Sequence, residues 1–372
     1  MASDRKQVVL LGATGSIGEN ALEVIRAHPG RFTLCGIAAN RNAKALEEVR
    51  EEFDVPHHAL FETEGLEGLV RLATLPEADV VIIATTGTIG LRPTIAALEA
   101  GKTVGLANKE TLVLGGRFVM PLARSRPGSL LPVDSEHNAI FQCLQGREKG
   151  DLHQILLTAS GGPFLHHTRR ELAGVGTKEA LAHPNWDMGP KITVDSATMA
   201  NKGLEMIEAA WLFDLQPEQI RVVIHPQSII HSMVEFRDGS VIAQLAPPSM
   251  TYPIQQVLSY PEMIESPRPG LDFTRIHQLE LRPPDTGKFP NLRLAAEALR
   301  SGGLAPAIYN AANQVAVEAF LKGRLDFLEI PVLVSRCLEK ADWPPPATLE
   351  ELILLERELL AFARAQLKER QN

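Results

Sequence analysis

Two short stretches and one glycine-rich turn carry the side chains whose types and spacing suggest chemistry. In Asp134-Ser135-Glu136-His137-Asn138 two carboxylates stand two residues apart, just after the apolar run 130–133 that reads as a strand. Alternate side chains of an extended segment share a face, so Asp134 and Glu136 would form a pair. Paired carboxylates repel unless a proton or cation sits between them, and oxygen donors suit a hard ion such as Mg²⁺ or Mn²⁺. The rival role for Asp134, capping a helix that begins near Asn138, leaves Glu136 unexplained. The second stretch is 181–213, LAHPNWDMGPKITVDSATMANKGLEMIEAAWLF. Its first part mixes proline, glycine, asparagine and tryptophan as a loop over a ligand would. A strand at 192–194 and then a helix begun by Asp195 or Ser196 are expected after it. On that helix Asn201, Glu205 and Glu208 fall on one side with Lys202 beside them. Lys202 and Asn201 suit a phosphate, and Glu205 would be a third carboxylate for the cation. The plain alternatives are a solvated polar face, or pairing of one carboxylate with Lys109 or Lys202.

The glycine-rich turn is Gly12-Ala13-Thr14-Gly15-Ser16-Ile17-Gly18, set between the strand 8–11 and a helical pattern through Leu22 and Ile25. Gly12 permits a tight turn, Gly15 lets backbone approach a pyrophosphate, and Gly18 packs helix on strand, with the helix N-terminus aimed at the anion. The next strand, 32–39, ends in Asn40-Arg41-Asn42. No carboxylate stands there to bind a ribose 2′-hydroxyl, and a basic residue favours NADPH over NADH, unless Arg41 is simply a surface residue. Lys109, after the strand 103–107, is a candidate functional cation or an ordinary exposed lysine. Ser160, in the turn after the strand 155–158, could help hold a phosphate or merely close a tight turn.

The elements that would position these residues alternate strand and helix through the first 150 residues, as in a doubly wound sheet. Strands at 222–225, 229–236 and 241–245 follow, the last two joined as a hairpin at Asp238-Gly239. Residues 260–291 are proline-rich and read as a connector. Helical patterns at 292–299, 307–320, 330–339 and 349–367 make a bundle in which nothing looks catalytic. The expected architecture is α/β: a Rossmann-like domain at 1–150, a central α+β catalytic and dimerisation domain at 151–259 with a lid at 183–190, a linker at 260–290, and a helical domain at 291–372.

The chain has 372 residues and a formal charge of −8, with 37 basic against 45 acidic side chains and no long basic run, which speaks against a nucleic-acid partner. No apolar stretch reaches membrane-spanning length and residues 1–7 show no leader, so a soluble cytoplasmic protein is expected. The three scattered cysteines, Cys35, Cys143 and Cys337, fit neither a disulfide framework nor a thiolate cluster.

Taken together, GATGSIG at 12–18, ANKE at 107–110, DSEHNAIFQ at 134–142, TASGGPF at 158–164, HPNWDMG at 183–189, KITVDSATMANKGLE at 191–205 and HPQSIIHSMVEF at 225–236 strongly resemble the 1-deoxy-D-xylulose 5-phosphate reductoisomerase family. The resemblance implies conversion of that ketose phosphate to 2-C-methyl-D-erythritol 4-phosphate in non-mevalonate isoprenoid synthesis, with NADPH and Mg²⁺ or Mn²⁺, Co²⁺ being a third candidate. It implies metal ligation by Asp134, Glu136 and Glu205, and phosphate binding by Ser160, Ser196, Asn201 and Lys202. Lys109 and Ser135 would meet the hydroxyl and carbonyl end, His183 would bind substrate, and Trp186 with Met188 would form the lid. Cofactor contacts would come from Gly12, Thr14, Gly15, Ser16, Ile17, Asn40, Arg41, Asn42, Asn108, Glu110, Gly189 and Met250. A homodimer and sensitivity to phosphonate hydroxamates of the fosmidomycin type are also implied. Asp187, Pro190 and Thr251 depart from the family pattern and bear on lid motion and cofactor packing. Glu136, Lys109 and a metal-bound water remain open as proton carriers. The alternatives are a semialdehyde dehydrogenase, which would need Cys143 as nucleophile, and a non-catalytic NADPH-binding protein.

Overall fold

A computed structural model describes residues 5–276 and 278–371. Residues 1–4, on which the expectation of a leaderless chain partly rests, lie outside them. The chain divides into two compact units. The first comprises residues up to Leu112, Gly116–Gln145 and Ser249–Asp272; the second comprises Val113–Gly115, Gly146–Pro248 and residues from Phe273 on.

The first unit begins β1 (Lys6–Leu11), α1 (Ser16–Ala27), β2 (Phe32–Ala39), α2 (Ala43–Phe53), β3 (His57–Leu60), α3 (Phe61–Ala73), β4 (Val80–Ile83), α4 (Leu91–Glu99) and β5 (Thr103–Leu106). Then come α5 (Glu110–Ser125), β6 (Leu130–Pro132) and α6 (Ser135–Cys143). The six strands are parallel in the order β3-β2-β1-β4-β5-β6. Such a sheet is covered on both faces, and so β1 from Val8 on and all of β4 are apolar, with Val8, Val9, Leu10, Leu11, Val81, Ile82 and Ile83 fully buried. The order reverses between β1 and β4, which places the carboxyl ends of both strands at the switch point where open α/β sheets take ligands.

The second unit contains β7 (Leu152–Ala159), α7 (Arg169–Leu172), α8 (Thr177–Ala180), α9 (Pro190–Ala197), α10 (Ala200–Phe213), β8 (Ile220–Ile224), β9 (Ile230–Phe236) and β10 (Val241–Leu245). Segment Ser249–Asp272 then adds α11 (Thr251–Ser259) to the first unit, and α12 (Pro290–Ser301), α13 (Ala305–Leu321), α14 (Ile330–Lys340) and α15 (Leu349–Gln371) complete the second. Its four strands are ordered β10-β9-β7-β8, with β9 antiparallel to both neighbours and β7 parallel to β8. The expected hairpin at Asp238-Gly239 joins β9 to β10.

Two local expectations fail. Residues 192–194 are helical, inside α9, and not a strand. The β-branched run Ile192-Thr193-Val194 favours a strand locally, but Pro190 supplies a preset first helical residue and buried packing of Thr193, Val194 and Asp195 decides the outcome. Consequently neither Asp195 nor Ser196 starts the next helix; α10 begins after Met199, whose φ of 59° turns the chain between the two. Among the described residues no helix is long and apolar enough to cross a membrane.

Candidate active site

In the first unit β1 delivers Gly12 with φ of 106°, and a Cβ there would lie 2.4 Å from the Ala84 carbonyl oxygen. At Gly18 an added Cβ would lie 2.3 Å from the Gly12 oxygen. Both glycines are therefore demanded by the fold itself. Gly15 is different: an added Cβ would meet nothing nearer than 3.6 Å, and the residue is exposed. Its smallness leaves room above the turn, where α1 starts without any side-chain cap on its first N–H groups. An uncapped helix start beneath an open cradle fits the pyrophosphate of a dinucleotide. Thr14 is half-buried, Ser16 exposed and Ile17 half-buried around it.

At the end of β2, Asn40, Arg41 and Asn42 are all exposed. The side chain of Asn42 caps α2 by accepting the Ala45 N–H at 3.2 Å, which leaves Arg41 as the charged group of the trio. Asn108 is buried and occupied: its Nδ2 donates to the Thr85 carbonyl at 2.8 Å, and its Oδ1 accepts the Thr111 N–H at 3.0 Å. It knits the loops after β4 and β5 together, and Glu110 opens α5 beside it. Met250 packs against the apolar core of this unit. Thr251 is fully buried and its hydroxyl donates to Asn20 Oδ1 at 3.0 Å, tying the segment to α1.

The carboxylates of this unit follow β6. Asp134 pairs with Lys109 Nζ at 2.9 Å and lies 3.6 Å from His137 Nδ1. Burial opposes its charge, but Lys109 and His137 outweigh that and hold the carboxyl well below the usual carboxylate range. Lys109 is thus buried, not an ordinary exposed lysine. Asp134 occupies the cap position of α6 yet makes no capping hydrogen bond, so the capping role is excluded. The extended pairing of Asp134 with Glu136 also needs correcting. Helix α6 starts at Ser135, so Glu136 sits in its first turn, where it accepts the buried Ser135 hydroxyl. One oxygen of each carboxylate still lies within 4.8 Å of the other. An oxygen-only pair is a donor set that suits a hard divalent cation.

In the second unit α10 carries a buried polar face. Lys202 and Asn201 both donate to Glu205, and Lys202, Glu205 and Glu208 are 4%, 1% and 0% exposed, so this is not a solvated face. The turn after β7 brings Ser160 to His183, with Oγ and Nε2 3.1 Å apart. His183 Nδ1 accepts the N–H groups of Asn185 and Trp186 at 3.2 and 3.0 Å. The ring proton therefore resides on Nε2, which donates to Ser160. Burial pushes the His183 imidazole down to about 4, so it is neutral near pH 7. Ser196 adjoins the same turn: a Cβ on Gly162, whose φ is 66°, would sit 2.8 Å from the Ser196 carbonyl oxygen.

Trp186, Met188 and Gly189 lie in the irregular stretch before α9, with Trp186 and His231 ring centroids 6.4 Å apart. Asn185 is a residue that motif reading passed over. Its Nδ2 donates to the Pro226 carbonyl at 2.6 Å and to Ser228 Oγ at 2.9 Å, which moors the loop. The only sign of it in the sequence was its place inside HPNWDMG. Cysteine nucleophiles find no support: Cys35, Cys143 and Cys337 are buried, and burial raises the Cys35 and Cys337 thiols to about 12 and 11.

Comparison with known proteins extends these local findings to nearly the whole chain. A family model for 1-deoxy-D-xylulose 5-phosphate reductoisomerase matches residues 8–65 and 58–116, and models for the family's C-terminal domains match 130–213 and 245–361. The chain is 47% identical to the Nitrosomonas europaea 1-deoxy-D-xylulose 5-phosphate reductoisomerase, over 96% of this chain and 93% of that one. It is 49% identical to the Pelotomaculum thermopropionicum protein of the same name, over 95% and 96%. Its fold is similar to the solved Zymomonas mobilis reductoisomerase in complex with NADPH, with a TM-score of 0.90, 39% identity and coverage of 98% and 99%. A reductoisomerase structure with NADPH, fosmidomycin and magnesium gives 0.92, 38% and 99% of both chains.

Proposed function

This chain belongs to the 1-deoxy-D-xylulose 5-phosphate reductoisomerase family, and on that premise we infer that it isomerises and reduces 1-deoxy-D-xylulose 5-phosphate to 2-C-methyl-D-erythritol 4-phosphate. It does so with NADPH and a divalent cation, in the non-mevalonate route to isoprenoids. The observation that carries this is near-complete coverage at close to half identity. When bound, the cation supplies Lewis acidity at the substrate oxygens and NADPH supplies the reducing hydride.

The protein's own residues divide the remaining work. Asp134, Glu136 and Glu205 are the metal ligands. Mg²⁺ or Mn²⁺ suits them, with Co²⁺ as a further candidate. Lys109 keeps Asp134 ionised, and with Ser135 it faces the hydroxyl and carbonyl end of the substrate. Ser160, Ser196, Asn201 and Lys202 take the phosphate. His183, kept neutral and donating from Nε2, orients Ser160 and contacts substrate. Trp186 and Met188 cover the substrate and exclude water. Gly12, Thr14, Gly15, Ser16 and Ile17 cradle the pyrophosphate, and Arg41 with Asn40 and Asn42 marks the 2′-phosphate. Asn108, Glu110, Gly189 and Met250 complete the cofactor's surroundings.

In functional terms, NADPH binding falls to 1–150, catalysis and dimerisation to 151–259 with the lid at 183–190, linkage to 260–290 and helical support to 291–372. The protein is a soluble cytoplasmic homodimer without nucleic-acid or membrane partners, and phosphonate hydroxamates of the fosmidomycin type inhibit it.

Glu205→Gln tests the assignment. The change keeps size and removes a charge. It lowers Mn²⁺ affinity and turnover by at least about tenfold, a cost that outer-shell partners of a metal already show. Titration calorimetry should find NADPH affinity intact, and NADPH oxidation at 340 nm reports turnover. Unchanged metal affinity with normal turnover would remove Glu205 from the site, whereas no turnover by the unaltered protein with any of the three metals would overturn the activity.

A further inference from the structure

The residue just before Ser196 is Asp195, 1% exposed on α9. Its carboxylate takes two donors. Lys191 Nζ, one turn earlier on the same helix, lies 2.8 Å away, and Asn313 Nδ2 on α13 lies 2.7 Å away. Asn313 is itself fully buried and its Oδ1 has no hydrogen-bond partner among the described residues, so the bond to Asp195 is what orients the amide. A flipped amide would set oxygen against carboxylate, which fixes the donor's direction.

A buried amide with an unpaired oxygen is a costly way to pack a helix interface that alanine or leucine could fill. The neighbouring residues show how close the fit is. Tyr309, four residues before Asn313 and on the same face of α13, donates its hydroxyl to the Asn291 carbonyl at 3.2 Å. Its phenol is pushed well above the ordinary value by burial and by the charge of Asp195. A Cβ at Gly203, next to Lys202, would come within 2.8 Å of that same hydroxyl. Helix α13 thus touches the backbone that carries Ser196 through Asp195 and the backbone that carries Lys202 through Gly203. Lys191, the other partner, is the second residue of α9 and follows directly on the lid loop 183–190.

We propose that Asn313 and Asp195 form a positioning pair that seats Ser196 for the substrate phosphate and anchors the trailing end of the lid, making the helical C-terminal region a working part of the active site. The pair rests on the reductoisomerase reading for the identity of the substrate. Asn313 touches no reacting atom; it acts through Asp195 and α9. Lys191 holds the same carboxylate from the lid side, so movement of the lid end and the register of Ser196 are linked through one group.

Steady-state kinetics of Asn313→Ala, Lys191→Ala and the double variant test this against a merely structural role. Each single change leaves Asp195 one donor, while the double change leaves it neither. The KM for 1-deoxy-D-xylulose 5-phosphate should rise about tenfold in Asn313→Ala, the scale of one lost charge-assisted hydrogen bond, with the KM for NADPH within about twofold of the parent. The double variant should exceed the product of the single effects, since both donors serve one carboxylate. Asn313→Ser, which retains a short donor, should recover part of the loss. A lowered melting temperature with unchanged substrate KM would overturn the proposal, as would parallel rises in both KM values. Should Asn313→Ala not fold, Lys191→Ala, made at a partly exposed position, carries the same comparison of the two KM values. If the unaltered protein turns over but no variant shifts substrate KM, the pair fails and the activity stands; if the unaltered protein does not turn over, both fall.

Discussion

His183 shows how a single side chain is set for its task by hydrogen bonds that motif reading cannot supply. HPNWDMG marks the histidine, but which nitrogen carries the proton depends on the Asn185 and Trp186 N–H groups, both aimed at Nδ1. Protonating the ring would put a second proton between Nδ1 and those donors, and burial already disfavours the charge. Burial lowers the imidazole from 6.5 to about 4. In the window between these values the unfolded chain binds a proton there and the folded chain does not, so stability rises with pH across it. This contribution is fully present above pH 6.5 and is lost as pH falls toward 4. Urea unfolding followed from pH 4 to 7 should therefore give a flatter stability profile for His183→Gln than for the parent. Parallel profiles would mean that His183 titrates normally in the folded protein. Legibility at this scale divides along the same line. Carboxylates, lysines and glycines could be named from type and spacing. Pairing of a carboxylate with Lys109 or Lys202 could be read as an alternative, but that Asp134 is the partner of Lys109 depends on β5 and β6 lying side by side.

Among the elements, most of the parallel strands were legible, since apart from Lys6, Gln7 and Thr33 the strands β1, β2 and β4 carry no strongly polar side chain, the pattern that a doubly covered sheet demands; β3, with His57 and His58, gave no such signal. Helix α9 was not legible, because its local propensity points to a strand and the preference is overridden by packing. The start of α6 was missed for a related reason: Ser135 and Glu136 look like the end of a strand until the cap position of Asp134 is known. Helix α10 provides the sharpest element-scale test. In an exposed helix, replacing glycine by alanine gains about 1 kcal/mol of helix propensity. At Gly203 the new Cβ would meet Ala295 Cβ at 2.5 Å as well as the Tyr309 hydroxyl, and neither is the loose end of a flexible chain. Overpacking of a close-packed contact costs about 1–3 kcal/mol, so the clash outweighs the propensity gain and Gly203→Ala should destabilise the protein. Chemical denaturation measures this directly, and a variant as stable as the parent would show that α12 and α13 can give way.

At the scale of the whole molecule, β10 is the edge of the four-stranded sheet. This strand pairs with β9 on one side only, its burial is intermediate along most of its length, and Val241 is 49% exposed. The opposite edge of the sheet, β8, is partly closed by the bridge between Ile224 and Arg282. Soluble proteins guard an exposed edge with charge, proline or a short irregular strand, and Val-Ile-Ala-Gln-Leu has none of the charge or proline. A strand of this composition is best explained by a partner, and under the proposed homodimer that partner is a second copy of the chain. Apolar and polar residues alternate only loosely along 229–245, as they would if a second copy covered part of the sheet. At a two-fold interface the same patch appears on both protomers, so one substitution is felt twice. Val241→Lys should therefore shift the protein from a species of twice 40.6 kDa toward the single-chain mass in sedimentation equilibrium, with the circular dichroism spectrum preserved. A parent protein that sediments as a monomer at micromolar concentration would defeat the homodimer. A Val241→Lys protein that stays dimeric would move the interface away from β10 while leaving the dimer in place.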